Sequence, residues 1–280
     1  MRIHYLGTAA AEGIPGIFCN CENCRAARRS GGKNLRARSQ VLIDDDLLVD
    51  FSPYTYLNSV RHGVELSRLR ALLITHSHSD HFIPNELEMH GALFAKNLPH
   101  SFLDIYCNDR VYGIATRHML QYGADYDAQE VTATLRFHQV MPMDRFTAAG
   151  CQVTALRAHH DANETCLIYL IEKEGKRILY ANDTGIFFDE VFDFLSGKKL
   201  DLVSLDCTNG TVKSRTGRHM GFAENAIVVE RLQSLGCITP ETTIVSTHFS
   251  HNGILPHEQV CARTATYGAI AAYDGMILEL

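Results

Sequence analysis

No run of about eighteen apolar residues occurs anywhere in this 280-residue chain, which excludes a hydrophobic helix long enough to cross a membrane. The first residues, Met1-Arg2-Ile3-His4-Tyr5-Leu6, lack the charged segment, long apolar core and cleavage site of a secretory signal; they read as a strand, and a cytoplasmic location is expected. Cations are not in excess: 26 Lys and Arg stand against 32 Asp and Glu, a formal charge of −6 that argues against neutralising many phosphates of an extended nucleic acid at once. A small anionic substrate remains compatible with that charge. A second C-x-x-C element is missing too. The nine cysteines are odd in number, and three crowd into Cys19-Asn20-Cys21-Glu22-Asn23-Cys24, a pattern that favours reduced thiols and metal ligation over a disulfide framework. The other six, Cys107 and Cys207 among them, read as small buried apolar groups. The 46% hydrophobic and 21% charged residues are ordinary for a soluble globular enzyme, and residues 1–280 are expected to form one domain.

Against this background one stretch stands out. The apolar run Leu69-Arg70-Ala71-Leu72-Leu73-Ile74 leads into Thr75-His76-Ser77-His78-Ser79-Asp80-His81, where four metal-capable side chains fall within six residues. A strand ending in a tight turn presents His76 and His78 to one side and brings Asp80 and His81 to an adjacent point, which suits two ions better than one. This H-x-H-x-D-H pattern after an apolar strand resembles the metallo-β-lactamase superfamily of binuclear metallohydrolases. The resemblance implies an α/β fold of the αββα sandwich type, two mixed sheets face to face with helices outside and the metals at one edge.

In chain order, Ile3–Thr8 reads as a short strand running into a compact Gly- and Pro-containing loop, followed by the cysteine motif as a zinc-binding loop at 19–24, whose three thiolates can share one ion with a fourth ligand from elsewhere. Arg25–Arg38 is basic and reads as a solvated helix face. Residues 39–43 and 47–50 read as a hairpin; Asp50 at its end either orients a ligating histidine or caps the turn through Ser52-Pro53. Residues 54–60 read as a helix, and Pro84 suits the first turn of another, with His90 on its face. Strands are expected over 102–106, 131–140 and 150–156, with a helix over 108–122 between the first two. Ala158-His159-His160-Asp161 then precedes the strand 166–172, the setting in which the superfamily places its next ligating histidine; spacing from Val153–Leu156 assigns His160 rather than His159. Asp183, ending the strand 176–182, resembles the bridging aspartate of the superfamily. A further strand, 200–206, leads into Cys207-Thr208-Asn209-Gly210, a loop able to face the site. His219 precedes a helix over 222–235, and the strand 243–247 ends in His248 and His251. His248 completes the active-site set, and His251 is the natural fourth zinc ligand.

The cysteine motif, the intact H-x-H-x-D-H and the closing Thr247-His248-Phe249-Ser250-His251 together are similar to the phosphodiesterases of bacterial phosphonate degradation. That resemblance implies a structural zinc on Cys19, Cys21, Cys24 and His251 and a catalytic role for His219 with Asp80 and Asp183. It also implies one ion on His76, His78 and His160, another on Asp80, His81 and His248, and Asp183 between them. The native ions are zinc, manganese or iron; His and Asp ligands do not choose. Metal-bound hydroxide would then attack a small or cyclic phosphodiester, and His219 would protonate the leaving oxygen. Two other functions stay open. One is hydrolysis of a lactone, thioester or β-lactam by the same nucleophile; the other is a metal-dependent binding or carrier role resembling the pyrroloquinoline quinone biosynthesis B proteins, which share the cysteine motif but typically lack the complete histidine set. No long tRNA-binding arm of the ribonuclease Z kind is recognisable. The oligomeric state is open, a homodimer being one of the states allowed.

Overall fold

The apolar runs pair into two seven-stranded sheets. The computed structural model describes residues 1–122, 133–214, 216–254 and 256–280. The first sheet holds β1 (Arg2–Gly7), β2 (Gln40–Ile43), β3 (Leu47–Val49), β4 (Ala71–Leu73), β5 (Leu103–Cys107) and β6 (Leu135–Gln139), in that spatial order, with the C-terminal strand β14 (Met276–Glu279) beside β1. The second holds β7 (Arg145–Ala148), β8 (Cys151–Arg157), β9 (Leu167–Lys173), β10 (Lys176–Ala181), β11 (Leu202–Asp206), β12 (Thr243–Thr247) and β13 (Ala269–Ala271), also in order. Both sheets are mixed: antiparallel pairing at one end gives way to parallel pairing beyond β3 and β10.

Side-chain alternation explains why the central strands read as continuous apolar runs. Along β4, Ala71 and Leu73 join the core between the sheets while Leu72 points outward; along β9, Tyr169 and Ile171 face inward while Ile168 and Leu170 face out. The outward face of the first sheet packs on Val111, Ala115 and Met119 of α3 (Asp109–Tyr122). The outward face of the second packs on Val191, Phe192 and Leu195 of α4 (Asp189–Leu195) and on Val228, Val229 and Leu232 of α5 (Phe222–Ser234). The layers are therefore helix, sheet, sheet, helix: the αββα sandwich. Three further helices, α1 (Glu22–Ser30), α2 (Thr55–His62) and α6 (His257–Thr264), complete the described set. Among the described residues no helix is long and apolar enough to cross a membrane.

Some expectations shift. The 19–24 segment is only partly loop, because the Cys21 thiol accepts from Cys24 N and caps α1, so Cys24 lies in its first turn. In the basic segment, Arg25, Arg28 and Arg29 are exposed, but Arg36 is buried: its guanidinium donates to Thr8 Oγ1 and the Ala272 carbonyl at 2.8 and 2.6 Å, backbone and hydroxyl acceptors that no helix-face pattern reveals. Residues 84–90 form a 3-10 helix with Pro84 at its start. The strand expected from 131 begins at Leu135, its first two residues falling outside the described ones, and β7 went unread because only Ala148 of its four residues is buried.

Candidate metal centres

The pairings β8–β9 and β9–β10 are antiparallel and β10–β11–β12 parallel, so β8, β10, β11 and β12 all end at the same sheet edge, where β4 of the other sheet also ends. Each of these ends delivers a polar residue: the 75–81 loop after β4, His160 after β8, Asp183 after β10, Asp206 at the end of β11 and His248 after β12. Two bonds join the sheets here, Leu167 N to the Thr75 carbonyl at 2.9 Å and Tyr169 OH to the Ile74 carbonyl at 2.7 Å. Asp50, Asp183 and His248 all take positive φ, 66°, 49° and 59°, a backbone state uncommon for residues with a side chain and here shared by three residues of one site.

The ligand atoms of His76, His78, His160 and Asp183 lie within 4.8 Å of one another, and so do those of Asp80, His81, Asp183 and His248. Asp183 stands between the groups. Its Oδ2 is 2.8 Å from His81 Nε2, 3.2 Å from His76 Nε2 and 3.7 Å from His160 Nε2, while Oδ1 is 3.1 Å from His248 Nδ1. His160 Nε2 faces His78 Nδ1 at 3.1 Å, and His81 Nε2 faces His248 Nε2 at 3.2 Å. Nitrogens this close share either an N–H···N bond or a cation, and where Nδ1 carries the proton, as on His81 beside Asp50, the Nε2 lone pair is left to face the centre. The buried His76 Nε2 and Asp183 Oδ1 have N···O contacts at 3.2 and 3.1 Å but no well-aligned hydrogen bond, a state that a shared cation relieves. The two groups fit a binuclear site for divalent ions. His159 does not enter it; its ring packs on Phe188 with centroids 4.8 Å apart.

Electrostatics follow from this crowding. Burial drives His76 down to about 3, with His81 adding to the effect, so its ring stays neutral as a ligand requires. Burial opposes charge on Asp80, but His81 outweighs it and holds the carboxyl well below its ordinary range. Asp50 settles in the orienting role: Oδ2 accepts from His81 Nδ1 at 2.7 Å, and Oδ1 accepts from Thr75 N and Oγ1, both at 2.9 Å.

His219 lies beside this centre, with Nδ1 3.1 Å from Asp206 Oδ2 and 3.3 Å from Asp183 Oδ1. Burial works against its charge, yet Asp206 and then Asp183 raise it to about 9. Asp206 also accepts from Met220 N and Thr208 N, both at 3.0 Å, and from Thr208 Oγ1 at 2.9 Å. Asp206 is a site residue that the sequence motifs do not include. Its signal was there: like Asp50 and Asp183, it is a carboxylate closing an apolar strand. Thr208 reaches His248 Nδ1 at 2.7 Å, so the 207–210 loop does face the site.

A second cluster gathers Cys19, Cys21, Cys24 and His251, again within 4.8 Å. His251 Nδ1 is 3.6 Å from Cys19 Sγ and 3.5 Å from Cys21 Sγ, against about 3.6 Å for the edge of a tetrahedron built from ordinary Zn–S and Zn–N bonds. Backbone N–H groups of Gly16, Cys21 and Cys24 donate to the sulfurs of Cys24, Cys19 and Cys21, as suits thiolates. On its far side, His251 Nε2 lies 3.6 Å from Glu12 Oε1, which Ser250 Oγ holds at 2.5 Å; Glu12 is a further residue the sequence did not single out.

The fold and the paired His/Asp groups define a metal-dependent hydrolase of the metallo-β-lactamase type. A family model for the beta-lactamase superfamily domain matches residues 47–249, and the chain belongs to that superfamily. Coenzyme PQQ synthesis protein B of Azoarcus sp. (strain BH72) is 26% identical over 313 residues, covering all of both chains. Among solved structures, a diphosphatase of the PhnP family superposes with a TM-score of 0.76 at 22% identity, covering 100% of this chain and 97% of that one. Zinc-bound PqqB of Methylobacterium extorquens superposes with a TM-score of 0.72 at 19% identity over the whole of both chains.

Proposed function

We propose that residues 1–280 act as one cytoplasmic domain that hydrolyses a small phosphodiester with a binuclear metal centre. His76, His78 and His160 would hold one ion, Asp80, His81 and His248 the other, and Asp183 both; Cys19, Cys21, Cys24 and His251 would hold a structural zinc. When bound, such a pair supplies Lewis acidity that ionises water near neutral pH and offsets charge on phosphoryl oxygens. A divalent pair with two carboxylates and one hydroxide carries a net single positive charge, which attracts an anionic diester without a basic groove.

The observation that carries the reading is His219. It belongs to neither tetrad that would hold the pair, though its ring nitrogen also falls within 4.8 Å of ligand atoms of Asp183, Asp206 and His248, and its imidazole touches Asp183, which belongs to both tetrads. Asp206 accepts the Nδ1 proton and fixes the ring, leaving Nε2–H free to protonate a departing oxygen. An alkoxide leaving from phosphorus needs that proton. The PhnP-family neighbour, a diphosphatase, is consistent with hydrolysis at phosphorus. The match to coenzyme PQQ synthesis protein B favours a second reading, a role in cofactor synthesis. Turnover by the metal-reconstituted protein of bis(4-nitrophenyl) phosphate, linear and cyclic alkyl diesters and a lactone panel separates these. Diester turnover is expected; turnover of lactones alone, or of nothing, refutes the phosphodiesterase reading.

A further inference from the structure

Four of the five imidazoles in the two groups, His76, His81, His160 and His248, are buried and present Nε2 to the centre. Their Nδ1 atoms are supported by Thr75 Oγ1, Asp50 Oδ2, the Arg218 carbonyl and Thr208 Oγ1 respectively, that of His248 also lying 3.1 Å from Asp183 Oδ1. His78 departs from the pattern twice. Its side chain is 43% exposed, and it is Nδ1 that faces inward, 3.1 Å from His160 Nε2. A ring half in water, unsupported, exchanges its proton between the two nitrogens and turns about its Cβ–Cγ bond at little cost, and either event removes the inward lone pair.

Among the described residues, the group on its outward nitrogen is Asp161, whose Oδ2 lies 3.3 Å from His78 Nε2. Asp161 is itself immobilised: Oδ1 accepts from Asn163 N and Nδ2, both at 2.9 Å, and its side chain is only 15% exposed. The same loop grips the neighbouring backbone, because Glu164 accepts from Ser77 N and from Ser77 Oγ, the latter at 2.8 Å, and from Asn108 Nδ2 at 2.9 Å. We propose that Asp161 is a positioning residue that holds the proton of His78 on Nε2 and so keeps Nδ1 available as a metal donor, an inference that rests on reading His78 as a ligand. Glu164 holds the loop and Asp161 selects the tautomer. His78, Asp161 and Glu164 also fall within 4.8 Å of one another, so a further ion on these three is the competing account.

The test loads full-length wild type, Asp161→Ala and Asp161→Asn with Zn2+ or Co2+ and reads stoichiometry, affinity by chelator competition, the visible spectrum of the cobalt forms and thermal unfolding of the metal-free proteins. Wild type binding an ion pair besides the cysteine-site ion satisfies the reading on which the proposal rests; a wild type without that pair overturns both. With the pair present, Asp161→Ala is expected to weaken one ion of the two by about 10 to 100-fold, to alter the cobalt spectrum, and to leave metal-free unfolding unchanged. Asp161→Asn, whose amide oxygen is kept by the two Asn163 donors and whose NH2 therefore faces His78 Nε2, is expected to weaken that ion at least as much as the alanine. Unchanged affinities in Asp161→Ala, equal weakening of both ions with a lowered unfolding temperature, or an extra wild-type ion that the variant loses would each overturn the positioning role.

Discussion

Asp206 Oδ2 sits 3.1 Å from His219 Nδ1, a contact between the buried end of β11 and a loop thirteen residues further on. If His219 is the acid, its contribution depends on how badly the leaving oxygen needs a proton. His219→Ala is expected to lower kcat for alkyl diesters by about 10² to 10⁴-fold and to change nitrophenyl diesters little, since nitrophenolate departs unprotonated. Asp206→Asn should show the same selectivity more weakly, and the double variant should lose no more than His219→Ala, because the two act as a unit. Matched kcat values at equal metal loading check this. Proportional losses on both substrates would rule out the acid role.

Asp183 touches both halves of the centre, whereas Asp50 supports His81 and Thr75 from behind. Asp183→Ala is therefore expected to empty the pair and abolish hydrolysis, and Asp50→Ala to cost about 10 to 100-fold. Metal content by elemental analysis, set beside activity, distinguishes them; equal and mild effects would contradict a bridging role.

His251 follows His248 by three residues, and a zinc on the cysteines would pin the N-terminal loop against the strand end that aims His248. Cys21→Ser is expected to remove one zinc per chain, lower the unfolding temperature and reduce activity while the His/Asp pair still fills. A variant with full metal content and unchanged unfolding would show that the cysteine site does not bind zinc.

A Cβ on Gly185 would stand 1.7 Å from the Gly217 carbonyl oxygen, so this glycine lets the loop after Asp183 lie directly against the loop that carries His219. Gly185→Ala must push the two apart. A displacement of about 1 Å typically costs on the order of 10²-fold in rate, so kcat on alkyl diesters should fall with metal stoichiometry intact. Kinetics together with elemental analysis test this, and an unaltered kcat would mean that the loop relaxes without moving His219.

The metal strand with His76, His78, Asp80 and His81, and the cysteine motif, were legible because each is a local pattern, the first within eleven residues and the second within six; the αββα layering followed only from the family resemblance. Asp183 and His248 were legible only with the family resemblance in hand, since a carboxylate or imidazole at a strand end has many local explanations. Asp50 was left between two roles that only its bonds to His81 and Thr75 distinguish. Asp161, Glu12 and the buried Arg36 carry no local mark, and Asp206 only that of a carboxylate closing an apolar strand, because their importance lies in contacts with residues 13 to 239 positions away: His78, His251, the Ala272 carbonyl for Arg36 and His219 for Asp206. Local pattern determines which faces are apolar and which side chains can bind a metal, since periodicity and ligand chemistry are properties of neighbours along the chain. The tertiary structure decided which nitrogen each imidazole turns inward and which carboxylate stands behind it, because tautomer and orientation are set by partners that only the stacking of the two sheets brings within hydrogen-bond reach.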